Sequence, residues 1–135
     1  MTRTVLIGDC SPATERAAQA LAGTPGLEIV GRLSVGRPLA ARLAELAPDL
    51  TVIQEPTTVP VPTAVIREAR HAAPTATLIV HAADPTPNWV ADAINGGATA
   101  VLPNTVDAAA LGRLALHIVT EHDAAFEALR FRWAA

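Results

Sequence analysis

Four junctions in this 135-residue chain bring together side chains able to do chemistry. In Arg3-Thr4-Val5-Leu6-Ile7-Gly8-Asp9-Cys10-Ser11-Pro12 a short apolar run ends on a carboxylate and a thiol. Similar runs end on Gln54-Glu55, on His81-Ala82 and on Pro103-Asn104. Asp9, Cys10 and His81 are ligand types that suit zinc, but their separation matches no metal motif, so neither a metal nor a cofactor is expected. Cys10 with His81 is a nucleophile–base pair only if an oxyanion hole and a substrate cleft accompany it, and the sequence signals neither. A redox role for Cys10 needs exposure and a depressed pKa, and a small apolar filler is the preferred reading. Two readings of Asp9, Cys10, Gln54, Glu55, His81 and Asn104 are left. They form an inactive crevice closed by polar pairing, or a crevice whose rim binds a small effector or a partner.

The elements that must position these groups follow from periodicity and punctuation. Strands are expected at Val5 to Ile7, Leu27 to Gly31, Leu50 to Ile53, Thr77 to Val80 and Ala100 to Leu102. Ser11 is placed to N-cap the first helix, Pro12 suits its first turn, Glu15 complements its dipole, and Gly23 with Pro25-Gly26 ends it near Leu21. Leu39, Leu43 and Leu46 mark a second helix stopped by Pro48. Val65, Ile66 and Ala69 face inward on a third, Thr63 to His71. A fourth, Asn88 to Asn95, offers Trp89, Val90 and Ile94 for packing and stops at Gly96-Gly97. The last helix starts near Asp107, a first-turn acid, and carries Leu111, Leu114, Ile118 and Val119 on one stripe. His117 and His122, five apart, read as surface residues. Five strand–helix repeats imply a parallel sheet with right-handed crossovers and helices on both faces, and continuous apolar strands fit a sheet buried on both sides.

Composition narrows the function classes. Half of the residues are hydrophobic and the net charge is -3, with a pI near 5.7. All ten basic residues are scattered arginines and there is no lysine. Direct nucleic-acid binding by this chain is therefore not expected, because phosphate contacts need clustered cations. The single cysteine forms no internal disulfide, which suits the cytoplasm. No signal peptide is visible and no run approaches the roughly 20 apolar residues of a membrane span, so no membrane association is expected. Gly96-Gly97 precedes a strand and is no dinucleotide fingerprint.

Over about Arg3 to Val119 the layout resembles the receiver domain of bacterial two-component response regulators, and most resembles receivers that precede helix-turn-helix output domains. The pieces carrying the resemblance are Val5-Leu6-Ile7-Gly8-Asp9-Cys10-Ser11-Pro12, Leu27-Glu28-Ile29-Val30-Gly31, Ala47-Pro48-Asp49-Leu50, Thr77-Leu78-Ile79-Val80 and Gly96-Gly97-Ala98-Thr99-Ala100-Val101-Leu102. The resemblance implies an α/β, flavodoxin-like (βα)5 fold: a doubly wound, parallel five-stranded sheet of order 2-1-3-4-5 with an extended C-terminal helix. Active receivers carry two acids after the first strand for a divalent metal, a phosphoryl-accepting aspartate ending the third, a Ser or Thr ending the fourth and a Lys ending the fifth. Here Asp9 matches the first acid. Cys10 stands at the second, Gln54 at the acceptor, His81 at the Ser/Thr and Asn104 at the Lys.

A glutamine amide forms no acyl phosphate. One Asp plus a thiol is a poor pair for Mg²⁺. Glu55, the nearest acid, falls one residue late, and alternation along a strand turns it to the other side. The expectation is a non-enzymatic, phosphorylation-independent pseudo-receiver that acts by protein contact. Its partner would be a second copy of the chain, a regulator or a DNA-binding output domain. The alternative is a sensor of a small metabolite bound at the strand ends.

Residues 1–122 form the receiver-like domain and 123–135 a helical extension or connector. Phe126, Leu129, Phe131 and Trp133 concentrate apolar side chains in that extension, and an exposed aromatic stripe is costly without a partner. Trp89, Val90, Val101, Leu114, Ile118, Phe126, Leu129 and Trp133 are the residues expected at the self-association or partner surface.

Overall fold

The computed structural model describes residues 1–36, 38–55, 61–103 and 105–134, with side chains described as far as 124. Ten elements alternate strictly: β1 (Thr2–Ile7), α1 (Pro12–Ala22), β2 (Leu27–Leu33), α2 (Leu39–Leu46), β3 (Leu50–Gln54), α3 (Thr63–Ala72), β4 (Thr77–Ala82), α4 (Pro87–Gly96), β5 (Ala100–Pro103) and α5 (Ala108–Ala134). The sheet is parallel throughout, with order β2-β1-β3-β4-β5. Alternation along each strand divides the core between its two faces. Val5, Ile7, Ile53, Leu78 and Val80 meet Leu39, Leu43, Ile66, Ala69 and Ala93 of α2, α3 and α4. Leu6, Leu50, Val52 and Ile79 meet Ala17, Leu21, Leu111, Ala115 and Val119 of α1 and α5.

Local chemistry sets the ends of the helices. Ser11 Oγ accepts from Thr14 N at 3.3 Å and Pro12 occupies the first turn, so α1 begins where its cap and its fixed φ agree. Glu15 pairs with Arg32 across to β2 at 3.0 Å. α4 ends at Gly97, φ 119°, a left-handed cap that glycine adopts without a Cβ clash. α2 ends on Ala47, also left-handed at φ 46°, just before Pro48.

Four packing expectations need correction. Ile94 does not pack inward: it is 44% exposed, because Ala93 and Gly96 are the residues of that turn facing the core. The buried stripe of α5 is Leu111, Ala115 and Val119, with Leu114 and Ile118 half-buried at its edge. Asp107 lies outside the first turn and caps α5, its Oδ1 accepting from Ala110 N at 2.8 Å. His122 is half-buried, and its Nδ1 lies 2.7 Å from the hydroxyl of fully buried Thr77, joining α5 to the start of β4; His117 is exposed as expected.

Candidate functional site

Parallel register puts the ends of β3 and β4 side by side, with Gln54 opposite His81. Their side chains are 7% and 8% exposed. His81 Nδ1 lies 2.8 Å from Gln54 Oε1, and His81 Nε2 lies 2.9 Å from the main-chain carbonyl of Val106 in the loop between β5 and α5. A carbonyl oxygen only accepts, so Nε2 carries a proton and donates it to Val106. The histidine thus ties the β3 end, the β4 end and the last loop together.

Glu55 follows immediately and is 5% exposed. Its Oε2 accepts from Val61 N at 2.9 Å and its Oε1 from Ala83 N at 3.0 Å, while its own N–H donates to His81 O at 3.0 Å. Both oxygens are therefore engaged by the main chain at the start of α3 and just after β4. Strand alternation was expected to turn Glu55 away from Gln54. Its carboxylate accordingly bonds Val61, part of the core beneath α2, α3 and α4, although the residue also borders the cavity that Gln54 lines.

The crevice anticipated at the strand ends is divided. Gln54, Glu55 and His81 line a cavity of about 520 Å³ between α1, the ends of β3 and β4, and the start of α5. Asp9 and Cys10 line a separate one of about 220 Å³ with Thr14, Arg32 and Ser34. Thr14, 2% exposed, lines the smaller cavity and is seated against Gly8. A Cβ at Gly8 would fall 2.7 Å from Thr14 Cγ2 and 3.4 Å from Gln54 Cβ, so only glycine lets the chain pass between these two side chains.

Asp9 is exposed, and its Oδ1 accepts from Ser11 N at 3.0 Å and from Thr14 Oγ1 at 2.9 Å. Hydrogen bonds from the Ser11 side chain and backbone, with a smaller one from Thr14, hold its pKa below the ordinary carboxylate value. Cys10 is exposed, which corrects the reading of it as a buried filler. With Cys10 and His81 in different cavities, neither the zinc set Asp9–Cys10–His81 nor a Cys–His dyad is assembled. Among the described residues no three His, Cys, Asp or Glu side chains converge on a metal position. Asn104 lies outside the described residues.

Two participants were missed by sequence reading. Thr14 gave a weak signal, a hydroxyl three residues past the N-cap. Val106 gave none, because it contributes only its carbonyl.

Of the surface set, Trp89, Val90, Val101, Leu114 and Ile118 are all half-buried. Trp89 and Val101 pack on the core beneath α2, α3 and α4, and Ile118 on that beneath α1 and α5. Trp89 Nε1 also donates to Val61 O at 3.4 Å. The side chains of Phe126, Leu129 and Trp133 lie outside the described ones.

No protein-family model matches the chain, and no curated protein matches it. Solved structures do. The signal receiver domain of the response regulator NarL from Mycobacterium tuberculosis superposes with a TM-score of 0.74 at 18% identity, over 88% of this chain and 96% of that one. A two-component response regulator of the LuxR family from Aurantimonas sp. SI85-9A1 gives 0.76 at 18%, over 90% and 86%. A CheY-like response regulator receiver domain protein from Methanospirillum hungatei JF-1 gives 0.74 at 18%, over 91% and 97%. This chain has the receiver fold. At such identities the likeness is one of architecture, and the chemistry has to be read from the side chains. No helix among the described residues is long and apolar enough to cross a membrane.

Proposed function

We propose that this chain is a receiver-like signalling module that takes no phosphoryl group and works by protein contact. One observation carries the reading. The side chain at the end of β3, where receivers accept phosphate, is the amide of Gln54, and it is hydrogen-bonded to His81. An amide supplies no anionic nucleophile. The carboxylates at the ends of β1 and β3 are held elsewhere, Asp9 by Ser11 and Thr14 and Glu55 by Val61 and Ala83. In this reading the module is non-catalytic and cytoplasmic. Residues 1–122 form the signalling domain, and the continuation of α5 through 123–135 is the connector or self-association element. Its partner is a second copy or a DNA-binding output domain. The second of these is in keeping with a structural neighbour from Staphylococcus aureus, a DNA-binding response regulator of the LuxR family.

The test is an amide NMR titration of the full chain with beryllofluoride and Mg²⁺, which together mimic an aspartyl phosphate. The expected result is no saturable shift at Asp9, Gln54 or His81. Saturable shifts there that spread into β5 and α5 would overturn the reading. A second reading, a small-metabolite sensor, is favoured by the cavity of about 520 Å³ against which Gln54, Glu55 and His81 stand.

A further inference from the structure

α5 is the longest helix, 27 residues from Ala108 to Ala134. Its inward stripe keeps a heptad rhythm. Gly112, Ala115 and Val119 are buried against the body, and half-buried His122 reaches Thr77 at the foot of β4. Gly112 and Val119 stand one heptad apart, as do Ala115 and His122. Thr77 is the first residue of β4, so the helix comes to the end of the sheet at His122. At 1.5 Å per residue the backbone from 123 to 134 carries on for about 18 Å beyond that contact. The sequence keeps the same rhythm there. Phe126 and Trp133 continue the series of Gly112 and Val119, and Leu129 continues that of Ala115 and His122. The stripe covered by the body up to His122 thus goes on, larger and more apolar, where the sheet has stopped. Left open to water, such a stripe is costly.

We propose that this stretch of α5 pairs with the same stretch of a second copy of the chain, antiparallel, as a short two-helix coil. The inference rests on the contact reading above and names its partner and geometry. Complementarity decides both. In an antiparallel pair the two series of the seam face each other. Phe126 then meets Leu129 of the second copy, and Trp133 meets His122 of the second copy, each contact made twice by the two-fold. Both layers share one axis, between Glu127 and Ala128. Beside that axis the flanking position of Asp123 faces that of Arg130 of the second copy, so the pair closes with two contacts of opposite charge. A parallel pair using the same seam sets like on like, Trp133 on Trp133 and His122 on His122. Its flanking positions bring Arg130 to Ala125, and no ion pair forms. The seam is therefore complementary to itself in one orientation, which is what a closed two-fold contact between identical chains requires.

The pairing also acts on the body. It brings Trp133 of the second copy to His122, the residue that ties α5 to β4 through Thr77. Association and the seating of α5 on the sheet are thereby coupled.

The test is sedimentation velocity of the full chain over a wide concentration range, alone and with Mg²⁺ and beryllofluoride. The expected result is a reversible monomer–dimer equilibrium with neither present. Leu129→Asp should weaken the dimer at least about tenfold, since it places a charge in the seam. Unchanged amide spectra of the five strands would show that its body is folded. Asp123→Arg and Arg130→Asp should each weaken the dimer about threefold or more, because each turns opposite charges into like ones. An equimolar mixture of those two variants should restore it, since every flanking contact between them is again of opposite charge.

A monomer at every concentration overturns this inference and leaves protein contact to an output domain. A dimer indifferent to Leu129→Asp overturns the choice of surface. A dimer lost with Leu129→Asp, but not recovered in the mixture, overturns the antiparallel pairing. A dimer that forms only with beryllofluoride would sink this inference and the phosphorylation-independent reading together. Saturable beryllofluoride shifts at Asp9 and Gln54 beside an unchanged dimer would sink that reading alone.

Discussion

Thr14 Oγ1 donates to Asp9 Oδ1 at 2.9 Å, so a hydroxyl in the first turn of α1 holds the first acid after β1. Ser11 holds the same carboxylate more strongly and depresses its pKa. A depressed carboxylate pKa contributes stability that is present above the unfolded value, near 3.8, and that disappears as pH falls through the lower folded value. Ser11→Ala is therefore expected to raise the Asp9 pKa part of the way back, since the Ser11 amide still donates. It also removes the α1 cap, at about 1 kcal/mol. A carbon-detected titration of Asp9 beside a urea melt measures both effects. An unmoved Asp9 titration would show that Ser11 does not hold the carboxylate in solution.

Gly112 sits where α5 crosses α1. A Cβ there would collide with Thr24 Oγ1 and fall 3.0 Å from Ala20 O. Helix propensity alone predicts that Gly112→Ala stabilises α5 by about 1 kcal/mol. Overpacking predicts a loss of about 1–3 kcal/mol. Overpacking wins, because Thr24 Oγ1 is itself bonded to Ala20 O at 2.8 Å and moving it would leave the main-chain contact in place. Thermal unfolding of Gly112→Ala should show a net loss of about 1–2 kcal/mol, with Thr24→Ala recovering part of it. A gain in stability would mean that the two helices are free to separate.

The alternation of strands and helices was legible because its signals are local, whereas the sheet order came with the resemblance to receivers. Ser11-Pro12 states a helix start, Gly97 a helix stop, and the unbroken apolar run from Val5 to Ile7 a buried strand. Edges were less legible. Thr2 and Arg3 belong to β1 because they pair with Leu27 and Glu28 of β2, which no run of apolar residues announces. The meeting of Gln54 with His81 follows once the parallel order is assumed. Their lock on Val106 does not, because it uses a carbonyl that every residue possesses. Cys10 and Asp9 were expected beside His81 because strand order places their ends together; they line a separate cavity with Thr14, and nothing about these residue types says which way they pack. His122 was assigned to the surface from its spacing to His117, whereas its partner, Thr77, is 45 residues away.

Among the described residues, Arg70 makes its bonds without any carboxylate. Its guanidinium donates to Gly97 O at 2.8 Å, to Pro74 O at 3.1 Å, to Ala76 O and to Thr99 Oγ1 at 3.2 Å, so one side chain closes the turns before β4 and before β5. Burial lowers its pKa from the ordinary arginine value. A lysine has no planar fork to reach these acceptors together. Arg70→Lys is expected to cost about 2 kcal/mol, on the scale of hydrogen bonds to a charged group. It should also raise hydrogen exchange at Leu78, whose N–H bonds Thr99 Oγ1 at 3.0 Å. Unchanged exchange there would show that Thr99 is held without the arginine.

Two buried threonines should answer the same substitution with opposite signs. Thr51, 1% exposed in the central strand β3, has a hydroxyl with no partner among the described residues. Thr77, fully buried in β4, has its hydroxyl 2.7 Å from His122 Nδ1. Valine keeps the shape of both and removes the oxygen. At Thr51 this relieves an unpaired buried hydroxyl, whose burial costs about 1–3 kcal/mol, so Thr51→Val is expected to stabilise by about 1 kcal/mol. At Thr77 it breaks a bond and strands the imidazole of His122, so Thr77→Val is expected to destabilise by about 1–2 kcal/mol. Urea unfolding of the two variants side by side decides the matter. Loss of stability in both would mean that Thr51 finds a partner in solution, and gain in both would mean that His122 contributes nothing to holding α5 on the sheet.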